Sequence, residues 1–111
     1  MKAIDLLAEA RAAVAANPTR PATAVIHDSP DARLVVFRIG PGQQVPPHRN
    51  ASTVMIQVLD GSGTISGAHG VEQMCAKGDI VVYEPGEQHG MKADKEELLL
   101  LATIAPRPAS R

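Results

Sequence analysis

Aromatic residues are almost absent from this chain of 111 residues, which has one tyrosine, one phenylalanine and no tryptophan. Because 44% of the residues are hydrophobic but only 2% are aromatic, the core must be built from aliphatic side chains and methionine. A chain of this length can bury one core but not two. The sequence therefore predicts a single small domain with an aliphatic interior.

Cysteine occurs only at Cys75, so the chain cannot form an internal disulfide, and nothing in the sequence demands an oxidising compartment. The first residues lack the apolar run of a secretory signal, since Asp5, Glu9 and Arg11 interrupt it. The longest apolar stretch, Leu98–Ala102, is far too short to span a bilayer. We expect a cytoplasmic protein with no membrane partner.

The chain also lacks an excess of charge of either sign, because 11 basic residues accompany 12 acidic ones and leave a formal net charge of −1. Lysines and arginines never cluster beyond two neighbours, which argues against an electrostatic surface for nucleic acid. The length leaves no room for an added DNA-binding segment. We therefore expect no nucleic-acid partner.

The alanine-rich start of the chain has apolar residues at helical spacing, which predicts a helix over Met1–Asn17. Pro18 ends it, because proline disfavours helical geometry in the residue before it. Its apolar stripe is narrow, so the helix packs either on the outside of a sheet or against a second subunit. Residues 1–20 are thus predicted to form a short N-terminal helix and linker.

From residue 22 onward, short β-rich runs alternate with glycine and proline turns. Such spacing predicts an all-β sandwich or barrel over residues 21–106, followed by a loose tail over 107–111. The last strand is apolar on both faces, so it lies between two layers or under a partner subunit. The predicted strands are Ala22–His27, Leu34–Ile39, Val54–Leu59, Thr64–Ser66, Val71–Cys75, Ile80–Tyr83, Gln88–Lys92 and Leu98–Ile104.

One stretch of the chain places a histidine at a fixed distance after a glycine turn. Gly42 is followed by five residues and then His48, with Asn50 two positions further on. Val54 follows three residues after Asn50, and six more residues lead to Gly61. The histidine therefore directly precedes a predicted strand that ends in a glycine turn.

A second stretch repeats this order of residue types. Gly78 is followed by five residues, then Pro85-Gly86, two residues and His89, with Ala93 four positions later. Taken together, the two stretches resemble the two motifs of the cupin family, a small conserved β-barrel of the jelly-roll type. The resemblance implies an all-β cupin barrel in which the two histidines face each other.

In cupins, three histidines and one glutamate or glutamine usually hold a divalent metal ion, and this resemblance implies a metal site at His48 and His89. The other two ligand positions are occupied by Asn50 and Val54. An amide oxygen is a weak ligand for a transition metal, and valine offers none. A catalytic zinc site typically has three protein ligands. Any Mn, Fe, Ni or Zn would therefore need Asn50 or water to complete its shell.

Several other residues are candidates for the site or for the core. Strand alternation places Gln57 on the face opposite Val54, unless a bulge re-aims it. Tyr83 is expected to pack in the core with its hydroxyl at the edge, and Cys75 to behave as a small hydrophobe. The predicted ligand pocket comprises Asn50, Val54, Gln57, Tyr83 and Met91.

Two functional hypotheses follow from the resemblance, and the sequence leaves open whether the protein is an enzyme. The first is a small cupin that binds a divalent metal weakly, or a small organic ligand, inside the barrel. The alternative is a non-catalytic, ligand-sensing or structural cupin whose metal site has decayed. Because cupins commonly dimerise, the resemblance also implies a homodimer.

Overall fold

The computed structural model describes residues 1–108. Within that range it contains one α-helix and nine strands that form two antiparallel sheets. In chain order, the elements are α1 (Leu6–Ala12), β1 (Ala22–Asp28), β2 (Arg33–Ile39), β3 (Gln44–Arg49), β4 (Thr53–Asp60), β5 (Ser62–Ser66), β6 (Glu72–Ala76), β7 (Ile80–Tyr83), β8 (Gln88–Ala93) and β9 (Leu98–Ala105).

The two sheets pack face to face around one main core. The five-stranded sheet has the order β1-β2-β9-β4-β7, and the four-stranded sheet has the order β3-β8-β5-β6. Residues of both sheets, such as Ile56 and Ile65, belong to the same buried cluster. Neither sheet closes on itself within the described residues. The predicted all-β jelly-roll fold is confirmed, with the barrel built as two facing sheets.

Strand β4 illustrates how the sequence selects its inner face. Val54, Ile56 and Val58 are at most 3% exposed, whereas Gln57 between them is exposed. Successive side chains of a strand point to opposite faces, so the aliphatic residues fill the space between the sheets. The glutamine consequently faces outward.

Strand β9 is buried on both faces by its own chain. Leu98 and Leu100 lie in the main core, whereas Leu99 and Leu101 lie in a second cluster on the other face of the sheet. Ala10 of α1 is fully buried in that second cluster. The sequence predicts that this apolar strand lies either between two layers or under a partner subunit. The structure favours burial between layers.

The N-terminal helix is much shorter than the predicted Met1–Asn17. Its first turn is capped by Asp5, whose carboxylate accepts a hydrogen bond from the Ala8 N–H at 3.1 Å, and Ala13 is already extended. Short alanine-rich helices are marginal without packing, and here only one face of α1 contacts the sheet. The helix covers the outside of the sheet. No helix in residues 1–108 is long and apolar enough to cross a membrane.

Strand β3 was not predicted, because its centre is Pro46-Pro47. Proline lacks the N–H of a ladder bond and is tolerated at sheet edges or bulges. Both conditions hold here: β3 is an edge strand, and its register with β8 shifts between Val45 and His48. The strand places His48 within the sheet rather than in a turn before it.

The domain boundaries remain a prediction. Of the predicted loose tail, residues 109–111 lie outside the described residues. Arg107 contacts the β1–β2 turn: its N–H donates to the Pro30 carbonyl at 3.4 Å, and its guanidinium lies 3.8 Å from the Asp28 carboxylate.

Candidate functional site

Two histidines from neighbouring strands lie side by side at one end of the four-stranded sheet. His48 on β3 is opposite His89 on β8 in the strand register. Their ring centroids are 4.0 Å apart, and the ring planes are inclined at 63°. Directly opposite residues of an antiparallel pair point to the same face, which brings the imidazoles into contact.

The two rings differ in their access to solvent. His48 is exposed, because β3 is an edge strand. His89 is only 3% exposed, and its ring packs against that of Tyr83 with a centroid separation of 5.0 Å. The pair thus connects the surface of the sandwich to its interior.

Each histidine is oriented by a backbone carbonyl two residues earlier in the chain. His48 Nδ1 lies 3.1 Å from the Pro46 carbonyl oxygen, and His89 Nδ1 lies 3.3 Å from that of Glu87. A carbonyl oxygen only accepts hydrogen bonds, so both Nδ1 atoms carry the proton of the neutral ring. Both Nε2 atoms are therefore left with a lone pair.

The surroundings of His89 favour its neutral form. Burial lowers its pKa below the ordinary value of 6.5, and the neighbouring His48 lowers it further. The backbone carbonyl and the carboxylate of Glu87 oppose this shift but do not cancel it. At neutral pH, the buried imidazole is a hydrogen-bond acceptor at Nε2.

Tyr83 packs against His89 and helps to fix the position of the pair. Its hydroxyl donates to the Ser66 carbonyl oxygen at 2.8 Å, and the residue is 2% exposed. Burial raises the pKa of this phenol to about 12, with smaller contributions from Glu87 and Cys75. Tyr83 therefore holds its proton at neutral pH and orients the site rather than exchanging protons.

Asn50 and Val54, which occupy the other two ligand positions implied by the resemblance, supply no further metal ligand. The side-chain oxygen of Asn50 accepts the Ser52 N–H at 2.9 Å, and its backbone carbonyl accepts the Gly86 N–H at 2.7 Å. Val54 is 3% exposed in the apolar core. Within residues 1–108, no three His, Cys, Asp or Glu residues are grouped so that they could hold a metal ion. The donor set thus falls short of a three-ligand metal centre.

The predicted pocket residues lie in different surroundings. Val54, Tyr83 and Met91 are each at most 3% exposed and fill the space between the sheets. Gln57 lies exposed on the outer face of β4, where strand alternation places it. The bulge of this strand lies beyond it, between Val58 and Asp60, and does not re-aim it.

The remaining histidines lie outside the pair. His27 is half-buried at the bulge of β1, and His69 is exposed in a turn with a φ of 59°. Cys75 is buried in the core, and burial raises the pKa of its thiol. What the sequence did not reveal are the carbonyls of Pro46 and Glu87 that orient the pair. The only sequence feature that the two carbonyl groups share is their position two residues before a histidine.

Comparison with known proteins places these features in a family. The Cupin domain family matches residues 35–104, which include both histidines. No protein of curated function matches the sequence.

Several solved structures share the fold. A crystal structure of an RmlC-like cupin protein from Desulfovibrio desulfuricans is 29% identical, covers 96% of this chain and 97% of its own, and has a TM-score of 0.81. A conserved protein with a double-stranded β-helix domain from Klebsiella pneumoniae is 23% identical over 91% and 90%, with a TM-score of 0.82. A predicted oxalate decarboxylase from Thermotoga maritima is 22% identical over 78% and 80%, with a TM-score of 0.72. At these last two identities, the likeness is one of fold.

Proposed function

This chain belongs to the cupin family, and we propose that it binds a small organic ligand through the His48–His89 pair. One observation carries the proposal: both Nδ1 atoms donate to backbone carbonyls, which leaves two neighbouring Nε2 lone pairs. Two adjacent acceptors suit a ligand that carries two adjacent donors. A compound with vicinal hydroxyl groups has this chemistry.

The difference in solvent exposure between His48 and His89 supports binding of a ligand from the surface. His48 is the exposed member and makes the first contact, whereas the buried His89 supplies an acceptor shielded from water. A hydrogen bond in a shielded position is stronger than one in bulk solvent. Tyr83 keeps the buried ring in place from behind.

A weakly bound divalent transition metal is the second candidate, because the free Nε2 lone pairs also suit it. In metal sites, ligating histidines commonly donate their other ring N–H to a carbonyl, as both do here. Two imidazoles are nevertheless too few for a catalytic zinc centre. Such an ion would depend on water or on an organic ligand for its remaining positions.

The test is titration calorimetry of the whole chain with glycerol, glycerate and methyl glucoside, and separately with Zn²⁺, Ni²⁺ and Mn²⁺. We expect a diol to bind the wild type, and binding to weaken by about two- to tenfold in His48→Ala, which removes one hydrogen bond. The matched control is His69→Ala, an exposed histidine in a turn, which should bind as the wild type does.

Each alternative outcome is distinct. Metal binding that disappears in His48→Ala, without diol binding, would replace the proposal by the second candidate. If neither diols nor metal ions bind, the proposal fails, and the pair is then a structural remnant of the kind expected for a non-catalytic cupin.

A further inference from the structure

The outer face of the four-stranded sheet carries a polar cleft of about 370 Å³, called the outer cleft below. All four strands of this sheet contribute to its lining, and so does the turn between β5 and β6. Val45 and Met91, which flank the bulge between β3 and β8, also line it. Its volume is at the lower end of the range for sites that bind small molecules. The polar residues that line it are Gln44, Thr64, Ser66, Glu72, Gln88 and Lys92.

The outer cleft and the histidine pair lie on opposite faces of the same sheet. In β8, Gln88 directly precedes His89 and Lys92 follows it by three residues. Successive side chains of a strand alternate between the two faces, so both residues point away from the imidazole. The burial pattern agrees, because His89 is 3% exposed whereas Lys92 is exposed. The outer cleft is therefore a separate site, and an inference about it does not depend on what the histidine pair binds.

A glycine and a β-bulge make this part of the sheet concave. Gly90 of β8 lies opposite Ser66 of β5, and a Cβ at this position would lie 2.9 Å from the Ser66 Oγ and 3.2 Å from the Pro47 nitrogen. On the other side, Pro46 and Pro47 of β3 together face Gly90. Two residues opposite one form a β-bulge, which bends the strand. The centre of the outer face thus lacks a side chain, while residues of β3 and β5 stand on either side of it.

Most polar side chains of the outer cleft are free of partners from the protein. Thr64 is the exception, since its hydroxyl donates to the Asp94 carboxylate at 3.4 Å. The four ion pairs found in residues 1–108 include neither Glu72 nor Lys92. Among the described residues, the lining side chains without a hydrogen-bond partner are those of Gln44, Ser66, Glu72, Gln88 and Lys92.

Two opposite charges lie on different sides of the outer cleft. Lys92 of β8 is opposite Thr64 of β5, whereas Glu72 of β6 is opposite Ser66, two residues further along β5. Two strand spacings and two residue steps therefore separate Lys92 from Glu72, which places their Cα atoms about 12 Å apart. This separation leaves room for a small molecule that carries both charges between the ammonium and the carboxylate.

We propose that the outer cleft binds a free α-amino acid, whose carboxylate pairs with Lys92 and whose ammonium pairs with Glu72. Charge-assisted hydrogen bonds of this kind are stronger than those between neutral groups. The Ser66 hydroxyl and the amides of Gln44 and Gln88 supply further donors and acceptors along the cleft.

The chemistry of the lining disfavours two other ligands. A residue within a peptide chain carries neither charge on its backbone, so only a free amino acid satisfies both Lys92 and Glu72. No aromatic residue lines the outer cleft within residues 1–108. A nucleobase would therefore lack the ring on which bases stack in single-strand sites.

The experiment is a ¹⁵N–¹H NMR titration of the whole chain with L-alanine at pH 7. We expect saturable shifts of the amide signals of β5 and β8 around Ser66 and Lys92. Two matched ligands test the two charges: L-alaninamide lacks the carboxylate, and propionate lacks the ammonium. Each should bind about three- to tenfold more weakly than L-alanine, between the effect of an exposed ion pair and that of a charged hydrogen bond.

Two neutral variants test the assignment of the charges. Lys92→Gln and Glu72→Gln should each weaken the binding of L-alanine by about three- to tenfold. The matched controls are Lys77→Gln and Glu84→Gln, because both residues are exposed and neither lines the outer cleft. Circular dichroism establishes that each variant is folded.

The outcomes that overturn the proposal are distinct from those of the diol titration. L-alanine that causes no saturable shift overturns it, and so does L-alaninamide or propionate that binds as tightly as L-alanine. Unchanged binding in Lys92→Gln or in Glu72→Gln also overturns it. Shifts that centre on His48 and His89 and vanish in His48→Ala would assign the amino acid to the histidine pair instead, and would equally overturn the proposal.

Discussion

At the scale of single residues, the chemistry of this protein depends on where protons are held. Backbone carbonyls place the Nδ1 protons of both histidines, and burial keeps His89 neutral. The Tyr83 hydroxyl is fixed on the Ser66 carbonyl. None of these partners is visible in the sequence, because each is a backbone group whose position is set by strand pairing. The sequence could predict which histidines meet, but not how their rings are oriented.

The single tyrosine provides a direct test of burial. Because burial raises the pKa of Tyr83 to about 12, folding favours the neutral phenol, and this contribution to stability is lost as the pH rises from 10 through about 12. Spectrophotometric titration reports on Tyr83 alone, since the chain has one tyrosine and no tryptophan. We expect ionisation near pH 12 in the folded protein and near 10 in urea. A folded protein that ionises near 10 would show that the ring is solvated.

The buried histidine should make the protein sensitive to acid. Burial lowers the pKa of His89 below 6.5, so the unfolded chain takes up a proton before the folded chain does. The free energy of unfolding should therefore decrease as the pH falls below 6.5. Urea unfolding at a series of pH values measures this slope.

The matched variants for this test are His89→Gln and His27→Gln. The slope should be shallower in His89→Gln, which lacks the titrating ring, and should persist in His27→Gln. Equal slopes in His89→Gln and the wild type would contradict the assignment.

At the scale of elements, alternation and turn residues predicted most strands, and Ile80–Tyr83 was predicted with its observed bounds. The errors have physical causes. The predicted helix runs to Asn17 because alanine favours helix, whereas in the structure only the turns that contact the sheet are helical. Strand β3 was missed because Pro46-Pro47 opposes regular pairing, and only the bulge makes it possible.

The glycine turns allow a paired prediction at this scale. Gly42 and Gly61 both have positive φ, 76° and 79°, which is unfavourable for alanine. A Cβ at Gly42 would meet no atom within 4 Å, whereas at Gly61 it would collide with the Glu97 carbonyl oxygen. We expect Gly42→Ala to cost about 1–2 kcal/mol, and Gly61→Ala at least about 3 kcal/mol, since overpacking adds to the strain.

Chemical denaturation of the two alanine variants measures this difference. The comparison isolates crowding from backbone strain, because both substitutions share the positive φ. Equal losses in the two variants would contradict the close approach of the Glu97 carbonyl to Gly61, in the turn between β4 and β5.

At the scale of the whole molecule, the two-motif resemblance predicted the cupin fold, and the family match confirms it. The interior of the sandwich was less predictable. Val54 and Met91, both predicted for the ligand pocket, fill the interior where aromatic residues are few, and Met91 also lines a cavity with Thr64 and Ser66. The histidine pair lies at one end of the four-stranded sheet, where the sandwich meets solvent.

Long-range ¹⁵N–¹H NMR correlation of the imidazole rings at a pH above 7.5 shows directly which ring nitrogen of each histidine holds the proton. We expect both His48 and His89 to be protonated at Nδ1 and bare at Nε2. The exposed control, His69, has no carbonyl partner at its ring within the described residues and should show the pattern of a free histidine. An Nε2–H tautomer at either member of the pair would rule out the proposed binding, because the two Nε2 lone pairs would not both exist.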